Sequence, residues 1–167
     1  MMTGIPIVSN LWYGGYHLLI FIVLAAFAIY DMFHKRVPNK ALVYFIPVAL
    51  PSPLINVMHV GNRTAALMFF LMAVLGAIVG FTILLTAAIV SKGGNGVGGG
   101  DIKLAAVLGF IYGPYRILSI LLIATLLAMP VGLYHRKASG GQTLRLAFVP
   151  FLTIGCLIIT IIKLLSL

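Results

Sequence analysis

Residues 65–90 read AALMFFLMAVLGAIVGFTILLTAAIV and contain neither a charged side chain nor a proline. About 20 consecutive apolar residues are enough to cross a bilayer as an α-helix, so this stretch is predicted to be a membrane span. Five further apolar runs cover roughly residues 11–33, 41–60, 102–115, 117–134 and 146–165. The run at 102–115 is short, and it needs the preceding glycines or the bend at Gly113-Pro114 to complete a span.

The composition of the whole chain agrees with a fold embedded in lipid. The 167 residues are 62% hydrophobic and 8% charged, whereas a soluble domain of this size carries about 25% charged residues. So few polar side chains cannot cover a water-facing globule. We therefore predict an all-α, polytopic integral membrane protein with about six transmembrane helices, folded as a single transmembrane domain over residues 1–167.

The charge of the chain indicates which partners to expect. A formal charge of +9 comes from eleven Lys and Arg residues against two acids. The basic residues are spread thinly between apolar runs, which is typical of topology signals and of contacts with anionic lipid headgroups rather than of nucleic-acid binding. Cys156 is the only cysteine in the sequence, so a Cys-based zinc site cannot form. We expect the bilayer as a partner, no nucleic acid, and no metal or cofactor.

The uneven distribution of Lys and Arg predicts the orientation, because cytoplasmic loops are enriched in these residues. The connections after the first, third and fifth runs lie on one side and carry most of them. That side holds Lys35, Arg36, Lys40, Lys92, Lys103, Arg136, Lys137 and Arg145, and the other holds Arg63, Arg116 and Lys163. We therefore expect a multi-pass protein of the cytoplasmic (inner) membrane with both termini outside.

Asp31 and Asp101 are the two acidic residues of the sequence. Asp31 ends the first apolar run, and Asp101 opens the fourth run directly after three glycines. The predicted orientation sends the first run inward and the fourth run outward, so both carboxylates should lie at the same depth on the cytoplasmic side. Ionisable residues near the bilayer are costly and are functional candidates by default.

Two carboxylates in one poorly solvated site cannot both ionise easily, so one of them keeps a proton. The ionised member can activate a water molecule, and the protonated member can polarise a carbonyl group and later protonate a leaving amine. Peptide hydrolysis needs these roles and no cofactor. The placement of Asp31 and Asp101 therefore favours a paired functional role that fits an aspartic peptidase.

Other interpretations of the same residues stay open at this point. Asp101 can cap its own helix, and Asp31 can pair with Lys35 one turn later, as in a structural membrane subunit. The two carboxylates can also be ion sites of a small cation or proton-coupled transporter. His34 and His135 could join them around a metal, but the sequence contains no HExxH and interfacial histidines are the common case.

Residues 93–100, GGNGVGGG, precede Asp101 and contain a formal GxGxxG. The motif follows a predicted membrane helix rather than a strand, so a dinucleotide site is not supported. Its glycines would instead let an extended substrate backbone lie close to Asp101. Lys103 points to a different face of the helix from Asp101, where it either reaches toward headgroups or holds the site electrostatically.

Small residues and prolines within the apolar runs predict how the helices pack and bend. Gly76 and Gly80 form a GxxxG, which is typical of close helix contacts. Proline in membrane helices is predicted to cause kinks whose freed backbone groups are satisfied by neighbouring helices. The prolines concerned are Pro47, Pro51, Pro53, Pro130 and Pro150.

Two motifs resemble those of the type IV prepilin leader peptidases, a family of GxGD intramembrane aspartyl proteases. Residues 31–39, DMFHKRVPN, are similar to the family's first motif, an Asp followed by a basic loop and Ile/Val-Pro-Asn. Residues 98–104, GGGDIKL, resemble its GxGD-x-K-L motif and are followed by Gly109 and Gly113. The resemblance covers the chain from about Leu18 to Gly155.

The resemblance implies six membrane helices and an aspartic endopeptidase. Members of the family cut the short basic leader from type IV prepilins or prepilin-like proteins at the cytoplasmic membrane face. The motif match carries the catalytic roles onto Asp31 and Asp101. The residues that it implies shape the site are Val37, Pro38, Asn39, Gly98, Gly99 and Gly100, to which we add Lys103.

The chain departs from the family pattern at two places. Larger members carry an N-terminal segment with paired CxxC motifs that is associated with N-methylation, and this sequence contains no such motif. We therefore expect the short, peptidase-only form. Residues 147–151, AFVPF, match only in part a late family segment resembling Pro-Phe-Gly-Pro-Phe, and no catalytic role is assigned to them.

Overall fold

The computed structural model describes residues 5–34, 37–60, 66–90, 98–138 and 147–165. Within these ranges the chain forms seven α-helices and no strand, which confirms the predicted all-α class. The helices are α1 (Ile5–His34), α2 (Asn39–Ala49), α3 (Ser52–Val60), α4 (Ala66–Val90), α5 (Gly99–Tyr112), α6 (Pro114–Ala138) and α7 (Val149–Leu165).

The predicted membrane-spanning character is confirmed by helix length and composition. Among the described residues, four stretches are long and apolar enough to cross a membrane, namely Trp12–His34, Asn39–Val57, Ala66–Val90 and Pro114–Tyr134. The remaining helices are shorter: α5 has 14 residues, and the apolar part of α7 covers Val149–Lys163. The chain is therefore a multi-pass membrane protein. Because α5 begins at Gly99, two of the glycines before Asp101 belong to the helix.

The second predicted span is interrupted, since α2 ends and α3 begins on either side of Leu50 and Pro51. The amide of Leu50 still donates to the carbonyl of Ile46 at 3.0 Å, but Pro51 has no N–H with which to continue the ladder. Proline was predicted to kink the helix, and at Pro51 the helix ends instead. Elsewhere Pro47 and Pro130 lie inside α2 and α6, which run past them.

The contact between α4 and α5 depends on glycines on both helices. A Cβ atom on Gly76 would overlap the carbonyl oxygen of Gly109, and one on Gly109 would overlap the carbonyl oxygen of Gly76. Gly80 lies in the same way against the carbonyl of Ala105. The close packing predicted for the GxxxG is confirmed, and it brings two helix backbones into direct contact.

Helix α5 lies at the centre of the bundle, in contact with α2, α3, α4 and α6, while α7 packs between α1 and α6. Leu104 and Leu108 on α5 are fully buried, together with Leu24 on α1 and Ile120 on α6. A Cβ atom on Gly155 would lie 2.8 Å from the carbonyl oxygen of Ile120, so α7 approaches α6 closely as well. This packing brings the last turn of α1, the first turn of α5 and the first turn of α7 to the same end of the bundle.

Candidate active site

Asp31 lies in the last turn of α1 and is buried, with 3% of its surface exposed. A carboxylate near the C-terminus of its own helix is electrostatically disfavoured. The fold offsets this, because the backbone N–H of Val149 donates to Oδ2 of Asp31 at 3.2 Å. The amide of Phe148 also lies within hydrogen-bonding range of the carboxyl group. Asp31 is therefore held at the positive N-terminal end of another helix, α7.

Asp101 lies in the first turn of α5, and 8% of its surface is exposed. The N–H of Gly98 donates to its Oδ2 at 3.3 Å, while the N–H of Asp101 donates to the carbonyl of Gly98 at 3.0 Å. Asp101 thus caps its own helix, as one of the structural interpretations predicted. Capping and catalysis are compatible, because a single amide donor occupies one lone pair of a carboxylate that has about four acceptor sites.

The structure brings Asp31 and Asp101 to the same end of the bundle. The two carboxyl groups lie close enough to interact electrostatically, although 70 positions separate Asp31 from Asp101 in the sequence. Both are buried, and each accepts a hydrogen bond from a backbone amide. The distribution of Lys and Arg predicted a common depth in the membrane for the two carboxylates, and the fold places them at one end of the bundle.

The two sequence motifs are in direct contact beside the carboxylates. A Cβ atom on Gly100 would lie 2.7 Å from Cβ of Val37 and 2.9 Å from its carbonyl oxygen, so a side chain at position 100 has no room. The ammonium group of Lys103 donates to Oδ1 of Asn39 at 3.0 Å. Pro38 precedes α2 in an extended conformation. The segment that follows α1 is therefore packed onto the first turn of α5.

The glycines before Asp101 differ in their surroundings. A Cβ atom on Gly98 would lie 3.1 Å from Oδ2 of Asp101, in tight contact with the carboxylate. A Cβ atom on Gly99 would meet no atom within 4 Å, and both Gly98 and Gly99 are exposed. The surface next to Asp101 is thus open and formed by backbone. Residues 93–97 of the glycine tract lie outside the described residues.

A comparison with known families agrees with this geometry. The sequence model of the Type IV leader peptidase family matches residues 18–133, which is more than half of the chain and includes both aspartates. The chain belongs to the Type IV leader peptidase family. The resemblance noted from the two motifs is thereby confirmed at the level of the family.

Two curated relatives are named prepilin leader peptidase/N-methyltransferase. The one from Bacillus subtilis (strain 168) is 35% identical over 91 residues, which are 54% of this chain and 32% of the relative. The one from Xanthomonas campestris pv. campestris is 32% identical over 165 residues, covering 93% of this chain and 54% of the relative. The chain spans about half, or less, of the length of these relatives. No solved structure matches it.

The structure bears on the metal site that the sequence left open around His34 and His135. His34 is exposed, and its Nδ1 lies 3.3 Å from the carbonyl oxygen of Tyr30 in its own helix. Among the described side chains, no group of three or more His, Cys, Asp or Glu could hold a metal. Lys35, which was predicted as a helical partner of Asp31, lies outside the described residues. The side chain of His135 lies outside them as well.

One element of the site was missed by sequence reasoning, namely the first turn of α7. Residues 147–151 were given no catalytic role, yet the amides of Phe148 and Val149 lie at the Asp31 carboxyl group. A signal was present in Pro150, because proline favours the first turn of a helix and lacks an N–H of its own. The amides just before it are therefore the ones available to an acceptor from elsewhere in the chain.

Proposed function

We propose that the chain is a membrane-embedded aspartic endopeptidase with Asp31 and Asp101 as its catalytic pair. One observation supports this most strongly. The two acidic side chains of the whole sequence lie buried at one end of the bundle and interact with each other. Membership of the Type IV leader peptidase family supports the same reaction class.

In the proposed reaction the two carboxyl groups share one proton. The ionised member takes a proton from a water molecule as the water oxygen bonds to the scissile carbonyl carbon. The protonated member donates its proton to the carbonyl oxygen, which forms a tetrahedral diol. When the C–N bond breaks, the protonated member gives its proton to the leaving amine, while the ionised member takes a proton from a diol hydroxyl, which becomes part of the new carboxyl group. The pair again holds one proton. No cofactor takes part in these steps.

Backbone amides hold both carboxyl groups in place, which supports their proposed role as a catalytic pair. In both Asp31 and Asp101 a backbone amide donates to Oδ2, and we assign the reacting role to the other oxygen of each group. Amides at helix N-termini hold a carboxylate without depending on a mobile side chain. A catalytic pair requires such pre-positioning, because misplacement of a reacting group by about 1 Å can cost 10²-fold in rate.

We further propose that the substrate is a type IV prepilin or a prepilin-like protein, the substrate class in the names of the curated relatives. Its cleavage junction would lie extended against the exposed backbone of Gly98 and Gly99, beside Asp101. The apolar helix of the substrate would remain in lipid next to the bundle. The cleaved segment would be the short basic leader that precedes this helix.

The proposed orientation places the carboxylates at the cytoplasmic face of the cell membrane, with both termini outside. It is supported by the excess of Lys and Arg in the connections on that side. Lys40 and Lys103, which are both exposed, lie at the same end of the described bundle as the carboxylates. Cysteine introduced at an exposed position at each end, with membrane-impermeant labelling of cells, tests this orientation.

The decisive test is replacement of each aspartate in the full chain, co-expressed with candidate prepilins. Asp31→Asn and Asp101→Asn should each lower the cleavage rate by about 10² to 10⁴, the usual contribution of a general acid or base. Cleavage is read from the mobility shift of the prepilin. Thr82→Val is the control, because the Thr82 hydroxyl is exposed and bonds to carbonyls of its own helix.

Thermal unfolding of each purified variant shows whether the Asn side chains are accommodated in the fold. Full cleavage activity in either Asp variant would contradict the assignment of the catalytic pair. A flux assay in liposomes distinguishes the transporter alternative, since Asp-dependent cation or proton flux without prepilin cleavage would favour it.

A further inference from the structure

Among the described residues, the helices that carry Asp31 and Asp101 are not each other's main neighbours. Helix α1 packs chiefly against α7 and α3, whereas α5 packs chiefly against α4, α2 and α6. The separation of the two carboxyl groups therefore depends on elements that join these helices indirectly. One such element is the start of α7, whose amide holds Asp31. Another is the segment that follows α1 and begins α2.

Residues 37–39 of this segment are attached to the start of α5 at two points. The backbone of Gly100 packs so closely on Val37 that a Cβ atom at position 100 would lie 2.7 Å from Cβ of Val37. Further along α5, the ammonium group of Lys103 donates to Oδ1 of Asn39 at 3.0 Å. The first contact places the segment against α5, and the second adds a directional bond between two side chains.

The bond between Lys103 and Asn39 lies close to both aspartates along the chain. Lys103 follows Asp101 by two positions, and Asn39 is joined to the helix of Asp31 through residues 35–38 alone. A displacement of Asn39 relative to α5 therefore changes the setting of the end of α1. Because misplacement of a reacting group by about 1 Å can cost 10²-fold in rate, a small displacement is enough to slow catalysis.

Simpler roles for these two side chains do not explain their bond. Asparagine often caps a helix, but α2 begins after Pro38 without a side-chain cap, and Asn39 is the first residue inside the helix. The sequence left Lys103 either reaching toward headgroups or holding the site electrostatically. In the fold its ammonium group is directed to a neutral amide oxygen on another helix. An exposed pair of this kind adds little to stability, so its effect is on the position of the segment.

We propose that Lys103 is a positioning residue of the peptidase reaction. Through its bond to Asn39 it holds the start of α2 on α5, and it thereby fixes the end of α1, with Asp31, relative to Asp101. In this role Lys103 acts through Asn39 and the chain, and not on the scissile bond. The inference rests on the proposed function, since the position of the aspartates affects a rate only where they are catalytic.

The test is a double-mutant cycle on the full-length protein, with kcat and KM measured for cleavage of a purified prepilin in detergent. Lys103→Met removes the donor and keeps an apolar stem, and Asn39→Ala removes the acceptor. Each should lower kcat about tenfold, the effect of losing one hydrogen bond to a charged group, and leave KM close to the wild-type value. The double variant should also lose about tenfold and not about a hundredfold, because both changes remove the same bond.

Two further variants separate the bond from the positive charge. Lys103→Arg keeps both a donor and a charge at this position, so it should recover most of the rate that Lys103→Met loses. Lys40→Met is the matched control, because Lys40 is exposed, adjoins Asn39 in the sequence and lies at the same end of the bundle. It removes an equal charge without removing the bond, and kcat should stay close to the wild-type value.

Hydrogen–deuterium exchange gives a readout that does not depend on activity. The amides of Ala41 and Leu42 donate to the carbonyl of Pro38 in the first turn of α2. In Lys103→Met these amides should exchange faster, because the start of α2 is released from α5. In Lys40→Met their exchange should match the wild type. Thermal unfolding of each purified variant shows that folded proteins are being compared.

Unchanged kcat in Lys103→Met would overturn the inference, and so would losses that multiply in the double variant. A rise in KM at constant kcat would show that Lys103 binds the substrate instead of positioning the aspartates. Equal losses in Lys103→Met and Lys40→Met would reveal an effect of net charge and contradict the role of the bond. Absence of cleavage by the wild type would contradict the proposed function and the positioning role with it, whereas the other outcomes overturn the positioning role alone.

Discussion

The two ends of the helix bundle hold their polar groups in different ways. At one end Asp31 and Asp101 accept hydrogen bonds from backbone amides at the starts of α7 and α5. At the other end side chains bond to side chains: the Tyr112 hydroxyl lies 3.0 Å from Oγ1 of Thr160, and Lys163 donates to Tyr13. The comparison concerns the buried polar groups, because the aspartate end also carries the exposed cations Lys40 and Lys103.

This difference shows two ways in which one small bundle stabilises buried polar groups. Backbone donors fix a carboxylate within the geometry of a helix terminus, which suits chemistry that depends on exact placement. At the second end one member of each side-chain pair, Tyr112 and Lys163, lines a cavity of about 520 Å³. Helix α5 connects the ends, because Asp101 lies in its first turn and Tyr112 is its last residue.

The largest expected effect comes from Gly109→Ala, which should disturb both ends at once. The new methyl group would overlap the carbonyl oxygen of Gly76, and backbone on each side leaves no flexible side chain to move away. Overpacking of this kind costs typically 1–3 kcal/mol and occasionally more. Thermal unfolding in detergent should show a clear loss of stability, accompanied by loss of prepilin cleavage.

The matched control for this variant is Gly99→Ala, since a Cβ atom at position 99 meets no atom within 4 Å. It should leave the unfolding temperature close to that of the wild type. If Gly109→Ala and Gly99→Ala were equally stable, the close glycine contact between α4 and α5 would not be required for the stability of the bundle.

A smaller effect, confined to the aspartate end, is expected for Val149→Pro. This change removes the N–H that donates to Asp31, while proline is well tolerated in the first turn of a helix. Loss of a hydrogen bond to a charged group, about 1.5–3 kcal/mol, corresponds to a fall in kcat of roughly ten- to a hundredfold. The pH–rate profile should change as well.

Val149→Ala keeps the N–H and removes only side-chain volume from this fully buried position. It should lower stability through lost packing yet retain the wild-type pH–rate profile. Identical pH–rate profiles for Val149→Pro and wild type would rule out a positioning role for the start of α7.

The smallest expected effect is that of Thr160→Val, at the opposite end. The substitution removes the partner of the buried Tyr112 hydroxyl, and an unsatisfied buried polar group costs about 1–3 kcal/mol. Stability should fall by an amount in this range while prepilin cleavage stays at the wild-type rate. Thr125→Val is the control, because the Thr125 hydroxyl bonds to the carbonyl of Leu121 in its own helix. A loss of cleavage in Thr160→Val would show that the two ends are coupled.

Several parts of the fold and site could be predicted from sequence because local rules govern them. Apolar runs of bilayer length predict spans, the GxxxG at Gly76 predicts close packing, and the charge distribution predicts that Asp31 and Asp101 share one end. The break of the second span at Pro51 was predicted only as a kink. Whether Pro51 bends or ends the helix depends on how neighbouring helices accommodate the missing hydrogen bond.

The sequence by itself determined that the protein lies in a membrane and that it contains only two acidic residues. An apolar chain with two carboxylates must lie in lipid, and its two acids stand out as functional candidates. Tertiary structure alone decided that the amide of Val149 meets Asp31 across 118 positions, and that Arg116 and Lys163 face one cavity. The physical reason is that nearly every residue carries the same backbone donor, so its partner is selected by helix packing and not by residue type.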